Sequence, residues 1–224
     1  MTCPARGVLA GALALALAVT LTACSGDRHA DEAGARAAAQ AYVDALAAGD
    51  LATVEGMTDP DAVDVGSYAD DVDIGSALPS VVDSIEDPWV ALVSPTGRGT
   101  DGPVEYAVEV SYEIRGATGG GTIAVELDDD GDPDDPASWT VTTPLVESLL
   151  TYTDTRIVPV ALIGDVEVDY TVSDGRTVWG YPGGYLLETP EPVRGVAPVT
   201  IVIGASDLDL LNGGQPGLAR REDG

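Results

Sequence analysis

The sequence lacks several residue types on which common active sites depend. It contains no lysine, because all ten basic residues are arginine, and it contains a single histidine, His29. A Ser-Lys pair is therefore excluded, because it would have no base. A Ser-His-Asp triad would depend on His29, which lies five residues after Cys24 near the N-terminus. We find no set of residues suited to nucleophilic catalysis and expect the protein not to be an enzyme.

Basic charge is scarce overall. Asp and Glu number 38 against ten Arg, which gives a formal net charge of −28. Proteins that bind nucleic acid neutralise phosphates with Lys and Arg, so this charge excludes nucleic acid as a partner and disfavours adhesion to anionic lipid. The acidic excess is typical of a solvated surface, with cation capture or a basic partner as the alternative.

The first residues have the layout of an export signal peptide. Met1–Arg6 carries one positive charge, and Gly7–Val19 is an unbroken small and apolar run. A membrane-spanning helix needs about 20 apolar residues, and this run is shorter. We predict that residues 1–23 are a cleaved signal.

The four residues Leu21–Cys24 read LTAC. Directly behind an apolar run, this motif resembles the lipobox of bacterial lipoproteins. The resemblance covers four residues and implies a diacylglycerol on Cys24, hence a lipid anchor at the outer face of the cytoplasmic membrane. Stable anchoring takes more than one acyl chain, each contributing about 0.8 kcal/mol per buried CH₂. Ordinary A-x-A cleavage beside an incidental cysteine is the alternative.

Lipidation would leave no other cysteine in the mature chain, because Cys3 departs with the signal. A disulfide, a thiolate nucleophile and a cysteine-ligated zinc site are then excluded. Residues 24–34 are small, polar and charged, and we predict a lipidated tether there. Residues 207–224 show no periodicity, and we predict a disordered tail.

Helices are expected directly after the tether. Ala35–Ala48 (ARAAAQAYVDALAA) consists of strong helix formers with its apolar residues on one face. Gly49 is suited to end this helix and Asp50 to cap a second one over Leu51–Met57. Beyond Thr58 the chain is rich in Asp, Gly and Ser, which favours a loop with one helical turn.

Strands follow the helices. Val104–Ile114 alternates apolar and polar residues and predicts a half-buried antiparallel strand. We expect a turn over Gly116–Gly121, further strands over Thr122–Leu127 and Ser138–Thr142, and another over Val90–Val93. Helices followed by antiparallel strands predict an α+β fold with the helices on one face of the sheet.

The order of these elements and the segment AAAQAYVDALAAGDLATVEGMT resemble the NTF2-like superfamily, in particular small domains of actinobacterial lipoproteins and of penicillin-binding protein N-termini. The resemblance covers about Ala35 to Thr143. It implies a cone of N-terminal helices packed on a curved antiparallel sheet, whose cavity binds a ligand in some members and is filled by side chains in others. We assign residues 35–150 to this domain.

Beyond Pro144 the sequence predicts a small all-β unit, residues 151–206. Its short strands are Ile157–Ile163, Val166–Val172, Thr177–Trp179, Tyr185–Glu188 and Val199–Ile203. The YPGGY turn, with Pro182 at i+1 and Gly183 at positive φ, resembles the P-G-x-Y turn of a short β-module found in tandem in Gram-positive envelope proteins. A unit of this size buries little surface alone. We expect it to pack against the first domain or to use a partner's edge, or to be truncated.

Two clusters are candidate binding sites. Asp128, Asp130 and Asp132 lie in a predicted hairpin turn and could bind Ca²⁺ through oxygen ligands. An EF-hand is excluded because, with Gly131 at position six, position twelve is Ala137. The alternative is a solvated hairpin tip.

Aromatic side chains form the second cluster. Trp179, Tyr181 and Tyr185 could present a surface to a glycan or peptide. In a chain without phenylalanine, tyrosine and tryptophan must also fill the core, so core packing is the alternative for these residues.

We expect a membrane-anchored, non-enzymatic binding or accessory module of the cell envelope, with no cofactor apart from the lipid and with an envelope protein or a wall polymer as its partner. One alternative is a small-ligand or isomerase-like pocket protein. Isomerase chemistry would use a carboxylate base and a hydrogen-bond donor in an apolar cavity, with candidates Asp44, Tyr42, Tyr106 and Tyr112. The other alternative is a Ca²⁺-dependent module.

Overall fold

Two helices meet at a sharp corner at the start of the described chain. The computed structural model describes residues 31–62, 71–96, 104–173, 175–205 and 217–218; in it, helix α1 covers residues 31–48 and α2 is Leu51–Met57. Gly49 has φ of +66°. The Asp50 carboxylate accepts a hydrogen bond from the Thr53 N–H at 3.2 Å, and the hydrogen bonds from Thr53 lower the pKa of Asp50. The predicted Gly-Asp corner is confirmed.

Helix α1 includes residues 31–34, which belong to the predicted tether. Gly34 is buried. A Cβ at this position would lie 2.9 Å from Nε1 of Trp139 and would collide with the carbonyl of Pro133. The segment that contains Pro133 and Trp139 packs closely on the start of α1, so the packed structure begins within the predicted tether.

The strands of the described residues are, in chain order, β1 (Asp71–Asp73), β2 (Glu86–Pro95), β3 (Val104–Ile114), β4 (Ala117–Leu127), β5 (Trp139–Thr143), β6 (Glu147–Thr153), β7 (Val160–Ile163), β8 (Val166–Asp169), β9 (Gly175–Gly180), β10 (Gly183–Glu188), β11 (Val199–Ile203) and β12 (Gly217–Leu218). A 3₁₀ helix, Gly75–Ser80, follows β1. The α+β prediction is confirmed: the fold is mixed, mostly antiparallel sheet with few helices.

These strands form three sheets. The first has the order β2-β3-β4-β5 and is antiparallel throughout. The second has the order β1-β9-β6-β12, in which β1 pairs parallel with β9 and β12 parallel with β6. The third has the order β11-β10-β7-β8. Strand β6 crosses residue 150, the predicted end of the first domain.

The predicted turn over Gly116–Gly121 is wrong. The chain turns at Arg115 and Gly116, both at positive φ, and β4 continues through the glycines. A Cβ on Gly119 would collide with the Tyr112 ring and the Gly204 carbonyl, and one on Gly121 would lie 2.5 Å from the Leu145 side chain. These glycines allow close packing on the sheet and do not mark a turn.

Two hydrophobic clusters form the core, and each draws on both halves of the chain. The first joins α1, α2 and the first sheet to Tyr181, Val202 and Ala205. The second joins the C-terminal strands to Ile74 and Ala77. In addition, the Tyr112 hydroxyl donates to the Gly204 carbonyl at 2.8 Å. The C-terminal strands therefore pack against elements of the preceding part of the chain.

The ends of the chain fall largely outside the described residues. The predicted signal, Cys24 and most of the predicted tether are among these positions, as is the predicted tail apart from Gly217–Leu218, which forms β12. Within the described ranges, no helix combines the length and the apolar character needed to cross a bilayer.

Candidate functional site

A pocket of about 440 Å³ lies where α2, the 3₁₀ helix and the end of β9 meet. It is lined by Leu51, Glu55, Thr58, Asp59, Pro60, Asp73, Gly75, Ser76, Val146, Gly180 and Tyr181. Ligand pockets commonly enclose about 300 to 1,000 Å³. This pocket therefore has the size of a small-molecule site.

Helix α2 provides one wall of the pocket. Leu51 and Glu55 are four residues apart, so they lie on the same helix face, and both line the pocket. Val54 is buried in the first cluster and holds the helix against the protein. Thr58 caps the C-terminus of the helix, and its hydroxyl donates to the Val54 carbonyl at 2.7 Å. Glu55 is thereby held exposed at the pocket wall.

Strand β1 and the 3₁₀ helix provide another part of the pocket lining. The Ile74 N–H donates to the Trp179 carbonyl at 2.8 Å, which ties the end of β1 to β9. Asp73 Oδ1 accepts a hydrogen bond from the Gly75 N–H at 2.7 Å. This turn places Gly75 against Tyr181, because a Cβ on Gly75 would lie 3.5 Å from Cε2 of that ring.

Tyr181 is a largely buried polar residue of the pocket lining. It is 6% exposed, and no residue in the described ranges forms a hydrogen bond with its hydroxyl. Burial raises the pKa of Tyr181, and the negative charges of Glu55 and Asp73 raise it further. The hydroxyl is therefore neutral at physiological pH and lies within the field of both carboxylates.

The pocket lining combines negative charge with apolar surface. Its ionisable carboxylates are Glu55, Asp59 and Asp73, and none of the described residues that line it is basic. Leu51, Pro60 and Val146 contribute the apolar part. Such a lining favours a ligand that carries positive charge on a hydrocarbon stem.

The three predicted aromatic site residues have different environments. Tyr181 lines the pocket, whereas Tyr185 is fully buried in the second cluster and its hydroxyl donates to the Tyr181 carbonyl at 2.9 Å. Trp179 is half-buried, and its Nε1 is buried with no hydrogen-bond partner among the described residues. Tyr185 is therefore a core residue and not an exposed binding side chain, because the phenylalanine-free core uses tyrosine for bulk.

The predicted YPGGY turn is also wrong. Gly183 has φ of +158°, far from the +80° or so of a type II turn, and it begins strand β10. A Cβ on Gly183 would lie 2.6 Å from Val81, and one on Gly184 would lie 2.7 Å from Asp83. The two glycines let the segment after the 3₁₀ helix approach β10 closely, with Asp83 bridging to Gly184.

The acidic turn residues are exposed and are used in local hydrogen bonds. Asp128 Oδ1 accepts from the Thr140 hydroxyl at 3.2 Å, and Asp132 Oδ1 accepts from the Asp134 N–H at 3.1 Å. Asp130 is exposed in the same turn. Among the residues that the structure describes, no three His, Cys, Asp or Glu side chains are arranged to hold a metal ion. The Ca²⁺ alternative stays a prediction from sequence.

The candidate isomerase residues do not form a site in the described structure. Asp44 is exposed and accepts a hydrogen bond from Gln40 at 2.9 Å. Tyr42, Tyr106 and Tyr112 are buried in the first cluster, and burial raises the pKa of Tyr42 and Tyr112. These tyrosines fill the space between helix and sheet.

The comparisons with known proteins do not supply a function. No family model, curated protein or solved structure matches this chain. A functional assignment therefore depends on the residues of the chain itself.

Proposed function

We propose that this protein is a lipid-anchored lipoprotein of the cell envelope whose folded part is a non-enzymatic binding module. The anchor is Cys24, in LTAC behind the apolar run Gly7–Val19, and the folded part is displayed at the outer face of the cytoplasmic membrane. Its partner is an envelope protein or a wall polymer. The net charge of −28 disfavours nucleic acid.

Within this proposal, residues 35–150 form an NTF2-like domain and the C-terminal strands a small β-module. The packing of α1 on the antiparallel sheet β2-β3-β4-β5 supports this assignment. Tyr42, Tyr106 and Tyr112 fill the interior between helix and sheet. Binding is therefore assigned to the pocket beside α2 and not to the interior of the cone.

The observation that carries the proposed function is the pocket around Tyr181. Its carboxylates on α2 and β1, Glu55 and Asp73, are exposed, which suits the recognition of a ligand. Ser76 lines the pocket as well. No lysine exists in the chain and the single histidine is His29, so neither side chain is available beside Ser76 as its base.

Replacement of Cys24 by serine is expected to abolish lipid attachment and to move the protein from the membrane fraction to the soluble fraction. The thiol is the acceptor of the lipid, and stable membrane binding requires acyl chains. Fractionation and intact mass measurement of the native product and the variant check this. Cys3→Ser is the matched control and should leave lipidation unchanged. A native product that still begins at Met1, or equal effects of both substitutions, would contradict the proposal.

A photo-crosslinking side chain at Ser76 is expected to trap an envelope partner in intact cells. Ser76 is exposed and lines the pocket, so a bound partner would lie within reach of the probe. The same probe at Glu109, exposed on β3, is the control. A higher yield of crosslinked adduct from Ser76 than from Glu109 supports the binding function. Adducts of equal yield, or none, at both positions would contradict it.

A further inference from the structure

We infer that the pocket around Tyr181 binds an organic cation, a guanidinium or primary ammonium group on a short apolar stem. This inference rests on the proposed binding function and names the chemical class of its ligand. It is carried by the arrangement of charge, hydrogen-bonding capacity and apolar surface in one cavity.

Negative charge in the pocket comes from separate elements. Glu55 lies on α2, Asp59 follows it and Asp73 ends β1. Asp59 Oδ1 accepts from the Asp61 N–H at 2.9 Å, and Asp73 Oδ1 accepts from the Gly75 N–H at 2.7 Å. These hydrogen bonds hold the two aspartate carboxylates in place before a ligand arrives, which reduces the entropy lost on binding.

Tyr181 is an independent indication of a ligand. Its side chain is more than nine-tenths buried and lines the pocket, yet no hydrogen bond to its hydroxyl exists within the described ranges. The ring is buried, whereas the hydroxyl oxygen reaches the open space of the pocket, where a bound group can form a hydrogen bond with it. A neutral phenol oxygen can accept a hydrogen bond from the N–H of a cation, and the aromatic ring adds cation–π attraction within about 6 Å.

The lining favours an organic cation over a metal ion. The pocket carboxylates do not belong to any metal-binding group among the described residues. Leu51, Pro60 and Val146 offer apolar surface, which a hydrated metal ion would not use. The volume of about 440 Å³ accommodates a cation with a hydrocarbon stem.

The test compares two ligands of nearly identical shape. The full-length lipidated protein in neutral detergent is titrated with butylguanidinium and with butylurea, and binding is followed by saturation-transfer NMR of the ligand. We expect butylguanidinium to bind with a Kd on the order of 1 mM, typical of so small a ligand, and butylurea to bind at least several-fold more weakly. Equal binding of the two, or none up to about 50 mM, would overturn the inference.

Variants locate the binding site. Glu55→Gln and Asp73→Asn keep hydrogen-bond acceptors but remove charge, and each should weaken butylguanidinium binding about two- to fivefold, the range of an exposed ion pair. Tyr181→Phe should weaken it as well. Glu109→Gln and Glu113→Gln, exposed on β3, are the matched controls and should have no effect. Equal losses in the pocket and control variants would indicate a general charge effect and overturn the assignment.

The cation could belong to a free small molecule or to a basic side chain of a peptide. Butylguanidinium alone represents the first source, and acetyl-Gly-Arg-Gly-amide represents the second. Tighter binding of either ligand supports the shared chemistry and identifies its source, whereas binding of neither overturns it. Membrane fractionation and crosslinking of the same variants distinguish the proposed binding function from the cation inference. A protein that is still anchored and still crosslinks, but binds no cation, would retain the proposed function and overturn this inference.

Discussion

Replacement of Gly119 by alanine is expected to lower the free energy of unfolding by about 2 to 3 kcal/mol, the upper range for overpacking of a core. The new Cβ would collide with the Gly204 carbonyl and with the Tyr112 ring. The two obstacles are joined by the hydrogen bond from the Tyr112 hydroxyl to that carbonyl, and Tyr112 is 1% exposed. Neither can move without disrupting the packing between β4 and the C-terminal strands. Urea denaturation followed by tryptophan fluorescence measures the change.

Gly56→Ala is the matched control. Gly56 lies in α2, is exposed, and has open space around a Cβ. Because alanine is the better helix former, this substitution should raise the free energy of unfolding by about 0.5 to 1 kcal/mol. If Gly119→Ala were as well tolerated as Gly56→Ala, the approach of Gly204 to strand β4 would be refuted.

Replacement of Tyr185 by alanine is expected to destabilise the protein by about 3 to 5 kcal/mol, as for other large aromatic truncations in cores. Tyr185 is fully buried among the C-terminal strands, and its hydroxyl donates to the Tyr181 carbonyl. Tyr185→Phe, which removes only that hydrogen bond, should cost about 1 kcal/mol. Chemical denaturation of each variant provides the values.

Tyr152→Ala is the control for this series, because Tyr152 is 40% exposed on β6 and its loss should cost less than about 1 kcal/mol. The comparison separates the two interpretations of Tyr185 left open by the sequence. A Tyr185→Ala protein of unchanged stability that has lost partner crosslinking at Ser76 would restore the binding interpretation and contradict the core assignment.

Elements with strong local patterns could be predicted from the sequence. The alternation of Val104–Ile114 matches β3 residue for residue, and Val199–Ile203 matches β11. The Gly49 and Asp50 corner was predictable because its capping chemistry involves only neighbouring residues. In each case the information lies within a few positions of the chain.

Features that depend on distant contacts were not predictable. The glycines of β4 resemble a turn until Tyr112 and Gly204 are seen beside them. The pocket was missed because β1 has only three residues and its pairing with β9 joins Asp71 to Thr177. Glu55 resembles any solvated helix residue, and nothing local indicates that it lies near Asp73. Only Tyr181 was predicted as a candidate site residue and also lines the pocket.

The sharing of both clusters between the two halves of the chain has a consequence for biogenesis. The first cluster is incomplete without Tyr181, Val202 and Ala205. In the second sheet, β1 has no strand to pair with until β9 is present. A chain that crosses a membrane from its N-terminus onwards would therefore be unable to finish either half until about residue 205 had emerged. If the protein is exported as we propose, this late completion of the core keeps the chain unfolded while it crosses the membrane, and it also exposes the unpaired strands for longer to proteases and to neighbouring chains.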